Sequence, residues 1–167
     1  MLPDDGRRYE ILEGELFVNP APTTMHQTVS KRLQLELMLQ LERTGKGVVF
    51  NAPVDVIFSD ATVAQPDLLV MATARRNLIS QRGIEGPPDL IVEILSPRTE
   101  RADREIKFRL YASAGVKEYW IIDARARRVD VFSLGPTGYG EATACGPGSQ
   151  ARSAVFDFSV SVDSLFE

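Results

Sequence analysis

Apolar and polar residues alternate with a strand-like period over much of this chain, and in two stretches the period lengthens to that of a helix. Tyr9-Glu-Ile-Leu12 and Leu16-Phe-Val18 flank Glu13-Gly14-Glu15, which predicts a β-hairpin with Gly14 supplying the turn. Pro20 and Pro22 break the chain after it. Thr24 and Gln27 have the Thr-x-x-Gln spacing of a capping box, so a helix is expected to open there. It carries Val29, Leu33, Leu37 and Leu41 one turn apart, with Leu35, Met38 and Leu39 widening the apolar face, and Gly45 and Gly47 end it. A stripe this broad needs cover from a sheet and from a partner as well, which makes a homodimer the expectation.

Val48-Val-Phe50 and Val54-Asp-Val-Ile-Phe58 read as strands, with Ser59-Asp60 as a turn. Val63 to Met71 reads as one further strand whose Pro66 suits an edge or a bulge. Ala72 to Pro88 is polar and predicts a loop with a short helix. Leu90 to Leu95 has the composition of a fully buried strand. After Ser96-Pro97 a helix begins between Thr99 and Asp103 and ends at Gly115. Glu118 to Asp123 and Arg128 to Phe132 follow as paired strands. Beyond Gly135 the apolar anchors are sparse until Val155, Phe156, Phe158, Leu165 and Phe166. With no internal repeat and no linker, the expectation is a single domain over 1–167, with its core at about 9–132 and a strand extension over 133–167. The order of elements predicts an α/β (α+β) fold, a central mixed sheet flanked by helices.

Composition narrows the classes. The 167 residues, 44% of them hydrophobic and 25% charged, suit a globular protein with a core of its own. No apolar run approaches the ~20 residues that span a bilayer, and Met1 to Arg8 lacks the pattern of a secretion signal, so no membrane association and a cytoplasmic location are expected. The single Cys145 excludes an internal disulfide and a cysteine-based zinc cage. A net charge of −4 argues against a protein that coats nucleic acid but leaves room for a nuclease, which needs carboxylates for metal and only a local basic surface. Arg75-Arg76, the group Arg98, Arg101, Arg104 and Arg109, and the group Arg125, Arg127 and Arg128 could form such a surface or simply a solvated face.

The chemistry concentrates at three positions. Glu93 lies inside the apolar run Asp89-Leu-Ile-Val-Glu-Ile-Leu-Ser96, where strand alternation puts it on one face with Ile91 and Leu95. Such a buried carboxylate needs a neutralising partner. Pro66-Asp67 opens a second apolar run 26 positions earlier, and Lys107 falls 14 positions later within the arc of Ile106, Phe108, Leu110, Tyr111 and Ala114. A lysine placed there must either snorkel past its neighbours or point at something negative, and Asp103 one turn earlier is a partner or a helix cap. Two strand carboxylates and a lysine are the components of a metal-dependent phosphodiesterase: oxygen donors for a hard cation, and a fixed positive charge beside them. Each piece alone is more often structural.

Three further residues have two readings. His26, the one histidine, is either a cap or core residue of the first helix or a third, water-positioning group of the metal site. Glu13 is a turn residue or a lesser candidate of the same kind. Glu118 could add a ligand or stand as a surface residue of its strand.

The residues resemble a known family. Its carriers are Leu12-Glu-Gly-Glu-Leu16, Pro20-Ala-Pro22 with His26, Gln65-Pro-Asp-Leu68, Gly83-Ile-Glu-Gly86, Pro88-Asp-Leu-Ile-Val-Glu-Ile-Leu-Ser-Pro97, Lys107, Leu110-Tyr-Ala112 and Gly115-Val-Lys-Glu-Tyr-Trp120. Together they resemble the bacterial "Uma two" family within the PD-(D/E)xK nuclease superfamily, over about Tyr9 to Phe132. The resemblance implies a restriction-endonuclease-like fold, Mg²⁺ (or Mn²⁺) held by Asp67 and Glu93, a homodimer, and hydrolysis of DNA phosphodiester bonds with Lys107 stabilising charge or positioning water. The superfamily's lysine stands two positions after its glutamate, where this chain has Leu95. Lys107 on the following helix takes its place. That departure keeps an alternative open, a catalytically degenerate nucleic-acid or protein interaction module on the same fold.

Overall fold

The structure is a computed structural model, and it describes residues 8–167. The chain starts with the hairpin of β1 (Arg8–Leu12) and β2 (Glu15–Asn19), joined by Glu13 and Gly14 at φ +53° and +85°. Two successive positive φ values belong to the two-residue turn that matches strand twist. Helix α1 (Thr24–Leu37) follows and runs into a π-helical turn over Met38–Glu42. Its cap is Thr23, one residue earlier than the Thr24–Gln27 box: Thr23 is still extended after Pro22, and its hydroxyl accepts the His26 N–H at 3.2 Å. Gly45, at φ +71°, ends the helix, whereas Gly47 already belongs to β3 (Gly47–Asn51).

Next come β4 (Val56–Ser59), β5 (Thr62–Ala64) and β6 (Leu68–Ala72). The single strand expected over Val63 to Met71 is therefore two, parted at Gln65-Pro66-Asp67. β5 joins one sheet and β6 the centre of another, and Pro66 sits in the crossing between them rather than on an edge. The polar stretch expected as a loop holds a 3₁₀ turn at Thr73–Leu78 and a small hairpin, β7 (Ile79–Ser80) and β8 (Gly83–Glu85). β9 (Leu90–Ile94) precedes a helix that opens at position 100, passes through a π-helical turn at Ala102–Lys107 and finishes as α2 (Phe108–Ala114), with Gly115 left-handed at φ +87°. The remainder is β10 (Glu118–Asp123), β11 (Arg128–Gly135), β12 (Gly138–Tyr139), β13 (Thr143–Cys145), β14 (Gln150–Arg152), β15 (Ser159–Ser161) and α3 (Val162–Phe166).

The larger sheet runs β12-β11-β10-β9-β6-β3, with β13 also on β11, and the second runs β2-β1-β5-β4-β8-β7. β9 is parallel to β10 and antiparallel to β6, so the sheet is mixed, as its pattern predicts. Every residue of β9 is buried, because both its faces are covered. One face, with Val70, Val92, Trp120 and Ile122, packs on Val29, Leu33, Leu37 and Leu41 of α1 and on Phe158 and Leu165 of the C-terminal segment. The other face, with Leu69, Met71, Ile91 and Tyr119, packs on Leu110 and Tyr111 of α2 and on the second sheet through Leu12, Val56 and Ile84. No helix is long and apolar enough to cross a membrane among the described residues.

Glu118 is the exception to a surface reading of β10. It is fully buried, and its carboxylate accepts the Trp120 indole N–H at 2.7 Å and the Ala154 backbone N–H at 2.6 Å. It thus ties the C-terminal segment to the central sheet. Glu118→Ala is expected to lower stability by about 1–3 kcal/mol, because the buried Trp120 indole N–H and the Ala154 amide lose their acceptor. Urea unfolding measures that loss, and hydrogen exchange should show the Ala154 amide exchanging faster in the variant.

Candidate active site

The antiparallel pairing of β6 with β9 sets Leu68 opposite Val92, and Asp67, the residue before β6, lines one cleft with Glu93 of β9. Alternation in β9 turns Ile91 and Glu93 towards α2 and its preceding π-turn. From that turn Lys107, 3% exposed, extends its ammonium to 2.9 Å from Glu93 Oε1. The same Nζ lies 3.0 Å from Glu10 Oε1 of β1 and 3.4 Å from Asp103 Oδ1. Tyr111 donates its hydroxyl to Glu93 Oε1 at 2.8 Å. The π-turn therefore coincides with the two buried charges of the helix, Asp103 and Lys107, as widened turns often do at functional sites.

Asp67 is held from three sides. Arg8 donates to Oδ1 at 3.1 Å, His26 Nε2 lies 3.0 Å from Oδ2, and the Ile94 N–H donates to Oδ2 at 2.9 Å. Both readings of His26 thus meet in one residue: its backbone takes part in the helix cap and its ring reaches into the site. These groups line a cleft of about 300 Å³, whose rim is formed by Asn19 to Thr23 on one side and Ser96 to Thr99 on the other.

Charge is unbalanced in this space. Glu10, Asp67, Glu93 and Asp103 face two permanent cations, Arg8 and Lys107. Burial pushes the Glu93 carboxyl well up, and its carboxylate neighbours Asp103, Asp67 and Glu10 add to this against the pull of Lys107. Burial also raises Asp103, again opposed by Lys107. For Lys107 burial acts downward, but the carboxylates of Glu10, Glu93 and Asp103 overcome it and hold the ammonium well above the ordinary lysine range. Glu93 and Lys107 move in the same direction because the cluster as a whole retains protons. Asp67 differs: burial acts upward, but the hydrogen bond and charge of His26, followed by Arg8 and the Ile94 N–H, hold it below the usual carboxylate range.

Among the described residues no group of three or more His, Cys, Asp or Glu side chains forms a ready-made metal cage. Asp67 and Glu93 are nevertheless hard oxygen donors on one cleft in a site with surplus negative charge, and Asp103 Oδ1 is buried there without a hydrogen-bond partner. That donor set fits a cation such as Mg²⁺, which binds through one or two carboxylates and keeps several waters. Such an ion would have to compete with His26 and Arg8 for Asp67.

The structure brings together Asp67, Glu93, Lys107 and His26. It leaves Glu13 exposed in the hairpin turn, away from the residues that line the cleft. Glu118 belongs to the opposite face of the sheet, with Trp120. Sequence reasoning missed Glu10, Arg8 and Tyr111. Glu10 shares a strand face with Leu12, the same signal that singled out Glu93, but in a short hairpin it passes for an edge residue. Within the arginine clusters five side chains are paired with carboxylates, Arg75 with Asp89, Arg101 with Glu105, Arg104 with Glu100, Arg127 with Asp163 and Arg128 with Asp130.

Two variants separate the charges. Lys107→Met leaves the carboxylates without their shared ammonium and should cost about 3–5 kcal/mol in urea unfolding at pH 7. Glu93→Gln keeps the shape but stays neutral. Because the folded-state value of Glu93 is raised, its contribution to stability is full below the usual carboxylate range and is lost as pH rises towards that value. The variant should therefore gain on the unsubstituted protein from pH 4 upwards, by about 1.4 kcal/mol per pH unit at most. Thermal unfolding at a series of pH values reads the gap, and a constant gap would contradict the burial account.

Comparison with known proteins bears on the fold and the family. A crystal structure from Anabaena variabilis, described as "a putative nuclease belonging to DUF820", superposes with a TM-score of 0.84 at 20% identity, covering 99% of this chain and 93% of that one. At that identity the match speaks for the fold. An uncharacterised protein of Synechocystis sp. is 26% identical over 133 residues, which is 78% of this chain and 68% of the relative. The family model described as "Putative restriction endonuclease" matches residues 1–163, and the chain belongs to that family, Uma2.

Proposed function

We propose that this protein is a metal-dependent nuclease that hydrolyses phosphodiester bonds, with DNA as its substrate class. The observation that supports it most is the placing of Asp67 and Glu93 on one cleft, with the Lys107 ammonium 2.9 Å from Glu93. Asp67 and Glu93 would hold the ion, Mg²⁺ or in its place Mn²⁺. When bound, such an ion lowers the proton affinity of water and offsets the charge that develops on the phosphoryl oxygens. Lys107 and Tyr111 fix the Glu93 carboxylate through two hydrogen bonds to one oxygen, which leaves little freedom for reorganisation. The Lys107 charge at the cleft wall favours negative charge developing beside it. His26 positions Asp67 through its Nε2, 3.0 Å from Oδ2.

One observation favours the alternative of a non-cutting interaction module: both Asp67 oxygens already have donors in Arg8, His26 and Ile94. A homodimer is also proposed, on the half-exposed Leu35, Met38 and Leu39 of α1. Leu35→Glu combined with Leu39→Glu should then shift sedimentation from dimer to monomer.

Purified protein incubated with plasmid DNA and Mg²⁺ or Mn²⁺ should nick or linearise it. Glu93→Gln should lose about 10²-fold or more of that rate, in line with the loss of a principal electrostatic group. His26→Ala should lose about 10–100-fold, as residues that orient metal ligands do. Equal cutting by Glu93→Gln and the unsubstituted protein would refute the assignment. DNA binding without cutting would favour the module.

A further inference from the structure

The rim of the carboxylate cleft carries one cation that no other described residue engages. Arg98 is exposed there and makes no hydrogen bond or ion pair among the described residues. Arg8 and Lys107, the other cations of the cleft, are both held by carboxylates. Arg98 stands on a stiff support. Ser96-Pro97-Arg98-Thr99 is a tight turn in which the Ser96 and Thr99 hydroxyls lie 3.0 Å apart and the Ser96 carbonyl accepts the N–H groups of Thr99 and Glu100 at 3.1 and 3.0 Å. Pro97 further restricts the backbone. The turn fixes the backbone beneath Arg98, and its unengaged guanidinium presents a planar fork of donors that suits a phosphate.

Arg98 also separates two connected depressions. Asn19, Pro20, Ala21, Arg98 and Thr99 line both the carboxylate cleft and a neighbouring groove that continues along β2 past Phe17 and Val18. Phe17 gives that groove an aromatic ring and Val18 an exposed apolar side chain, 49% accessible. A free arginine between a carboxylate cleft and an apolar-lined groove matches the repeat of a single nucleic-acid strand, phosphate beside base. The protein's net charge of −4 and the pairing of Arg75, Arg101 and Arg104 with carboxylates offer less to the broad phosphate surface of a duplex than to a single strand.

We propose that Arg98 positions a single strand of nucleic acid, holding the backbone phosphate next to the one presented to Asp67 and Glu93, while the adjoining base lies in the groove against Phe17. This deepens the nuclease reading and rests on it: the preferred substrate is single-stranded or locally unpaired.

The test is fluorescence anisotropy of a labelled single-stranded oligodeoxynucleotide, and of the duplex of the same sequence, across a salt series. The parent protein carries Glu93→Gln so that the probe survives. Arg98→Gln in that background should weaken single-strand binding about tenfold, and should reduce the slope of log affinity against log salt by about 0.7, the value for one lost phosphate contact on a single strand. Arg98→Lys should keep the slope. Arg109→Gln, which removes an equally exposed charge outside the cleft, should change neither affinity nor slope. Equal unfolding temperatures for all four proteins are expected, since Arg98 has no partner to lose among the described residues. Unchanged affinity and slope in Arg98→Gln would overturn this proposal alone, as would tighter binding of the duplex than of the single strand. A parent protein that binds no nucleic acid would overturn it together with the DNA substrate class.

Discussion

The ammonium of Lys107 is the group on which the site depends. It lies within 3.4 Å of carboxylate oxygens from Glu10, Glu93 and Asp103, which come from β1, from β9 and from its own helix. Each of these carboxylates is buried, so none could remain charged there alone. The lysine in turn stays charged only because they surround it. Replacement of such a cluster by apolar residues of similar size is often neutral or stabilising, so its retention in a well-packed core is better explained by use than by stability.

Three constraints of the fold converge on that point. The antiparallel pairing of β6 and β9 brings Asp67, just before β6, to the end of β9, where the Ile94 N–H donates to it beside Glu93. The split at Gln65-Pro66-Asp67 lets the chain leave the second sheet and enter the first, and the Gln65 N–H anchors Glu10 on the way at 2.7 Å. The helix between the parallel strands β9 and β10 crosses one face of the sheet and brings Asp103, Lys107 and Tyr111 over Glu93. The cleft is where the two sheets and the N-terminal end of α1 meet, and the cap that begins α1 also delivers the His26 ring to Asp67.

Much of this was legible in the sequence, for physical reasons that vary by element. The first hairpin, α1, β9 and the β10–β11 pair carry strong periodicity or a two-residue turn, and they fold where the pattern puts them. Asp67, Glu93 and Lys107 stood out because each interrupts an apolar pattern. The misplacements have local causes. Pro66 lies between two apolar stretches that merge by eye, β7 and β8 are too short to show a period, and of two consecutive threonines it is Thr23, with extended backbone, that takes the cap. Glu10 and Arg8 escaped notice because their partners are distant in sequence, and pairing of that kind leaves no trace in spacing. Glu118 looked like a surface residue because the segment that buries it is sparse in apolar residues.

The central claim is that the carboxylates around Lys107 form a cation site shared by Asp67 and Glu93. Calorimetric titration of the protein with Mn²⁺ tests it most directly, with Asp67→Asn and Glu93→Gln measured alongside. The account predicts saturable binding by the unsubstituted protein and loss of that binding in either variant. Heats indistinguishable from dilution in the unsubstituted protein, or equal binding by all three, would contradict it.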